Sequence, residues 1–132
     1  MRNLVFMILF AWSFSQPLKQ IHPLAIDIRT IQFQHDLLKV TVQISNDSGK
    51  DITYLEGFLT EIDQHGKVLA EIRMPFIQNI PFSVNTVHSE STTMPYSEHQ
   101  FSQFLFHVSK VQFAGDFRVY TYHPSVGLIR ID

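Results

Sequence analysis

The sequence predicts an all-β fold of seven to eight short strands, paired antiparallel. Three observations carry that. Apolar residues recur with period two through several stretches, the spacing of a half-buried strand. Clusters of Asn, Asp, Ser and Gly punctuate those stretches at short intervals. No segment sustains a 3.6-residue apolar period over the roughly 11 positions that identify a helix.

Residues 1–15 read as a secretory signal peptide: Arg2 supplies the positive start, and Leu4–Trp12 is the apolar stretch. Ser13-Phe14-Ser15 then places small residues at −3 and −1 of a cut before Gln16. The apolar stretch is shorter than the roughly 20 residues that span a bilayer. The mature chain is thus expected to start near Gln16, be periplasmic or secreted, and keep no membrane span. Residues 16–23 form a polar lead-in with two prolines, and residues 24–132 form a single domain.

In 24–34, Leu24, Ile26 and Ile28 alternate, then the phase slips to Ile31 and Phe33. The slip suggests a bulge or bend near Thr30. Residues 38–74 read as three strands joined by two turns. In the first, Leu38, Val40, Val42 and Ile44 alternate with Lys39, Thr41 and Gln43. Asn46–Asp51 is a run of turn formers, with Gly49 free to take positive φ. The second strand, 52–62, is apolar on both faces, as expected under a second layer. Gly57 inside it marks a bulge or a close backbone approach. Asp63–Lys67 is the second turn. The third strand alternates Val68, Ala70, Ile72 and Met74 with Leu69, Glu71 and Arg73, and Pro75 ends it. Joints this short imply that the four strands from 24 to 74 pair as neighbours.

Residues 82–92 read as a moderately polar strand. His88 to Gln103 turns rich in Ser, Thr, His, Glu and Gln, and reads as a long loop, the kind of segment that often carries function. Phe104–Phe113 forms a strand with a phase change near Ser109-Lys110, and Ala114-Gly115-Asp116 turns the chain. Phe117–Tyr122 reads as the last clear strand, with Leu128–Ile131 as an edge strand or tail. This count and spacing fit an immunoglobulin-like β-sandwich. The absence of cysteine, and of a Trp beyond Trp12, sets it apart from antibody domains. An open barrel is the alternative.

Val40–Ile44, Asn46-Asp47-Ser48-Gly49-Lys50, Ile62-Asp63, Gly66-Lys67-Val68 and Lys110-Val111-Gln112-Phe113-Ala114 resemble the pattern of small exported bacterial domains of the FxLYD type and related immunoglobulin-like modules. The resemblance covers some 75 of the 132 residues and rests mostly on turn chemistry. The Phe-x-Leu-Tyr-Asp string itself is missing. What it implies is a binding or structural module, with no catalytic residues to carry over.

Composition narrows the function further. Hydrophobic content of 45% against 17% charged is enough to bury a core. A net charge of −2 with scattered Lys and Arg offers no field for nucleic acid or anionic lipid. Without cysteine there is no disulfide, thiolate metal site or thiol nucleophile. The seven histidines, His22, His35, His65, His88, His99, His107 and His123, make no H-x-H or H-x-x-x-H pair. His35 and His65 belong to turns. His88 and His99 flank the expected loop with Glu90 and Glu98, the one conceivable metal site. Asn46-Asp47-Ser48 matches a glycosylation acceptor but serves the turn first. Glu56, Glu61, Asp63 and Glu71 read as a solvated face.

No catalytic, cofactor-binding or metal residue is therefore assigned, and the chain is not expected to be an enzyme. The expectation is an exported, non-catalytic module for protein or ligand binding in the cell envelope, its partner a protein or peptide met at an edge strand or aromatic patch. Two alternatives stand beside it: a metal-dependent or hydrolytic enzyme built on the His88–His99 loop, and a subunit of a surface fibre or secretion assembly. The oligomeric state is open.

Overall fold

Val40, Val42 and Ile44 share one face of their strand, and burying that face sets the architecture. A computed structural model describes residues 23–76, 82–97 and 102–132. The expected signal peptide, most of the lead-in, residues 77–81 and His99 lie outside the described residues. The strands are β1 (Leu24–Gln34), β2 (Leu37–Asn46), β3 (Ile52–Ile62), β4 (Val68–Pro75), β5 (Val87–Pro95), β6 (Gln103–Phe113), β7 (Tyr120–His123) and β8 (Gly127–Arg130). They form two antiparallel sheets, one in the order β1-β2-β5 and one in the order β4-β3-β6-β7-β8.

One core joins the sheets. The first contributes Val40, Val42 and Ile44 from β2; the second contributes Ile52, Leu55 and Leu59 from β3 with Val108, Val111 and Phe113 from β6. Phe76 and Phe82, from the chain on either side of the β4–β5 connection, complete it. Each such side chain, fully buried, contributes about 1.5–3 kcal/mol before conformational entropy is charged against it.

The meander expected over 38–74 is only half right. β3 and β4 pair, but β2 pairs with β1 and β5, and β3 takes β6 as its other neighbour. Residues 47–51 are therefore a crossover between sheets, not a hairpin turn. The reason lies in β3, whose two broad neighbours satisfy both of its backbone edges within the larger sheet.

Four further expectations shift. The irregularity in β1 falls between Gln32 and Gln34, not near Thr30, so Ile31 keeps the register of the strand. The fifth strand runs Val87–Pro95 instead of 82–92, and Phe82 makes only an isolated bridge to Ile52. The long loop from His88 to Gln103 shrinks accordingly, since residues 88–95 pair with β2 along its length. Finally, Phe117, Arg118 and Val119 precede the last hairpin as coil, and only Tyr120–His123 is strand. Gly115, at φ 76°, and the Asp116 side chain, which accepts from the Arg118 amide at 2.9 Å, hold that coil.

Gly57 performs the role read for it. A Cβ there would sit 2.4 Å from the His107 carbonyl oxygen and 2.4 Å from the Phe106 ring. Ser109 is the extra residue opposite, since Glu56 faces Lys110 while Gly57 faces Val108. That bulge matches the phase change expected at Ser109-Lys110.

Candidate functional site

The crossover between sheets builds one wall of a cleft, and Asn46 fixes its shape. Asn46 is buried at the end of β2. Its amide nitrogen donates to the carbonyls of Lys50 (2.8 Å), Phe82 (2.9 Å) and Ser83 (3.2 Å). Its amide oxygen accepts from the Ser48 hydroxyl (2.6 Å) and amide (3.2 Å). An amide is the right group here, because it offers donors and an acceptor from one side chain. With all of them engaged inside the protein, the turn reading of Asn46-Asp47-Ser48 holds over the glycan reading.

Ser48 and Lys50 then stand on one side of a cleft of about 470 Å³. Phe113, Tyr120 and Leu128 line it with apolar surface, together with Pro23 and Val126, and Asp116 and Gly127 complete its lining. Three connections meet here: residues 47–51, residues 114–119 and the β7–β8 turn. Asp116 is firmly placed. Its carboxylate accepts from the Arg118 amide and from the Tyr120 hydroxyl, each at 2.9 Å. The amide bond first, and the tyrosine bond second, hold its carboxyl below the ordinary aspartate range. Val126 is 69% exposed, and Phe117, beside Asp116 in the chain, is 93% exposed. The cleft thus presents apolar surface, an anchored carboxylate and a lysine.

A second constellation lies on the outer face of the five-stranded sheet. Glu56 is 5% exposed, contrary to its expected place on a solvated face. The Tyr54 hydroxyl and Arg73 Nε both donate to its Oε2 at 2.8 Å, and Arg73 Nη2 approaches the same oxygen. Lys110 Nζ lies 3.9 Å from Oε1. The Tyr54 bond, then the Arg73 bond and charge, hold the Glu56 carboxyl below its ordinary range, while burial pulls the other way. Tyr54 moves up in turn, chiefly because its hydroxyl bonds the carboxylate. The cluster is a satisfied ion pair that ties β3, β4 and β6. Sequence gave no sign of it, since only the pairing register brings Arg73 and Lys110 to either side of Glu56.

Of the His88–His99 set, the structure describes His88 and Glu90, while Glu98 and His99 lie outside the described residues. His88 is half-buried within β5, its ring edge-on to Phe82 with centroids 4.1 Å apart and its Nε2 3.2 Å from the Thr86 hydroxyl. Among the described residues, no three His, Asp or Glu side chains group as metal ligands. His35 and His65 are exposed in turns, as expected.

No protein-family model and no curated protein matches the chain. Solved structures do. A Bordetella pertussis protein named ApaA superposes with a TM-score of 0.55 at 11% identity, over 82% of this chain and 88% of that one. The structural genomics target SoR45 superposes with a TM-score of 0.50 at 13% identity, over 81% and 82%. The likeness is one of fold. It places the two antiparallel sheets among known architectures and leaves the chemistry to this chain's own residues.

Proposed function

We propose that the chain is an exported, non-catalytic binding module of the cell envelope, immunoglobulin-like in arrangement, that takes a protein or peptide partner at the cleft between Lys50 and Asp116. The cleft carries this reading: a concave apolar lining with a few fixed polar groups is the form of most ligand sites. Val126 in its lining and Phe117, next to Asp116 in the chain, present apolar surface to water, and aromatic side chains are enriched among the residues that carry binding energy. Consecutive strands that change sheets, β2 to β3, β4 to β5 and β5 to β6, support the immunoglobulin-like arrangement. Export rests on Arg2, the apolar stretch Leu4–Trp12 and the small residues at Ser13 and Ser15.

The test has two parts. Mass spectrometry of the protein recovered from envelope and medium reads its N-terminus; a start near Gln16 is expected, and an intact chain confined to the cytosol overturns export. A photo-reactive phenylalanine analogue at position 117 then reports the partner. The expected result is a discrete protein adduct that Lys50→Glu diminishes strongly. Adducts indifferent to Lys50→Glu, or none, overturn the cleft as the contact site.

A further inference from the structure

Among the described residues, β1 is an outer strand of the three-stranded sheet, bonded to β2 on one side. From Arg29 to Gln34 every residue is exposed, and Ile31 is 64% and Phe33 49% exposed. The strand has no proline or lysine and its irregularity sits at its far end, so the charges on its near half, Asp27 and Arg29, decide what this edge can meet.

The backbone phase of that edge follows from two bonds. The Pro23 carbonyl accepts from the Asp47 amide at 2.9 Å, and Leu24 and Ala25 continue the same register against Asn46 and Ser45. Antiparallel pairs alternate between bonded and non-bonded. Ala25, Asp27, Arg29 and Ile31 therefore turn their backbone groups to β2, while Ile26, Ile28 and Thr30 turn theirs to the open edge. Leu24 agrees: its carbonyl points away from β2 and accepts from the Tyr122 hydroxyl at 3.2 Å.

We propose that this edge pairs with a second copy of the chain, antiparallel, about a two-fold axis at Ile28. The charges choose that register. An axis at Asp27 sets Asp27 against its own copy, and an axis at Arg29 does the same with Arg29; like charges directly opposite repel. An axis at Ile28 sets Asp27 against Arg29 of the second copy on both sides of the centre. These fall in non-hydrogen-bonded pairs, where facing side chains come closest. In the same register Ile28 bonds Ile28, Ile26 bonds Thr30, and Ala25 lies over Ile31. Every edge-facing group from Ile26 to Thr30 finds a partner. Within one chain Arg29 Nε already bonds Asp27 at 3.0 Å, with both side chains well exposed, so the pair is free to exchange across the axis. The two three-stranded sheets then run on as one. The segment Asp27-Ile28-Arg29 is self-complementary, which points to a second copy over an unrelated strand.

Sedimentation equilibrium of the full chain over a concentration series tests this, with circular dichroism to check that each variant folds. The wild type is expected as a dimer. Asp27→Arg, which sets Arg against Arg at both contacts, is expected to weaken the dimer roughly tenfold or more. The double variant Asp27→Arg with Arg29→Asp restores opposite charges in both contacts and is expected to restore the dimer. A monomeric wild type, a dimer indifferent to Asp27→Arg, or a double variant that stays as weak as the single one each overturns the proposal.

Discussion

Two polar side chains inside the protein set tests at the scale of single residues. Asn46 directs its amide nitrogen at three carbonyls and its amide oxygen at Ser48. Asn46→Ala removes every one of these bonds from a buried site, although each of the three carbonyls keeps another donor, and is expected to cost about 1–3 kcal/mol in urea unfolding. Asn46→Asp should cost more than Asn46→Ala near pH 7, because an acceptor then faces the Phe82 and Lys50 carbonyls. Glu56 makes a pH-dependent case. Its folded carboxyl lies below the ordinary glutamate value, so the stability it contributes is fully present above that value. It is lost as pH falls through the depressed folded value. Glu56→Gln removes the charge without removing the group. Its destabilisation should be clear near pH 7 and shrink as pH falls through the depressed folded value. A gap between wild type and variant that stays constant over this range would show that the ion pair does not stabilise the fold.

Among the elements, the strands were legible wherever one face is apolar. The period-two pattern places β2, β3 and β4 to within a residue or two, because burial of alternate side chains is a local property. Partner choice was not legible, because it depends on contacts far apart in sequence; hence β2 was matched to β3 instead of β5. β5 itself hides by composition. Its core-facing positions are His88, Glu90, Thr92 and Met94, opposite Ile44, Val42, Val40 and Leu38, so it buries its share of apolar surface mostly with polar side chains. Phe117 misled in the opposite sense: strand-forming by type, it lies in a coil held by Asp116 and Gly115. The cleft between Lys50 and Asp116 escaped the sequence for the same reason as the pairing, since its walls come from segments over sixty residues apart. Gly57 was legible because a bulge or a close backbone approach is the usual reason for a glycine inside a strand, and both occur there. Gly57→Ala is expected to lower the urea midpoint by the equivalent of about 1–3 kcal/mol. The obstruction is partly the His107 carbonyl, which a rotamer change cannot clear.

For the whole molecule, the order of the strands dictates where it opens first. β2, β3 and β6 each have a neighbour on both sides, and together they carry most of the buried core. β8 is a short outer strand, and β1 leaves the core after Ile28. Native-state hydrogen exchange should rank them accordingly, with the slowest amides on β2, β3 and β6 and the fastest on β8 and the far half of β1. β1 adds a finer reading, because its amides face two directions. Those of Ala25 and Asp27, in the half of the strand that packs on the core, point to β2 and should exchange slowly at any protein concentration. Those of Ile26, Ile28 and Thr30 point away from β2, where no other described strand lies, so pairing with a second copy would protect them. In dilute protein they should exchange at nearly the rate of an unstructured chain. As concentration rises they should become protected together, while those of Ala25 and Asp27 stay unchanged. Protection that is equal along β1, or that does not respond to concentration, would mean that the edge keeps its backbone groups in water and that the charge pattern about Ile28 serves only the single chain.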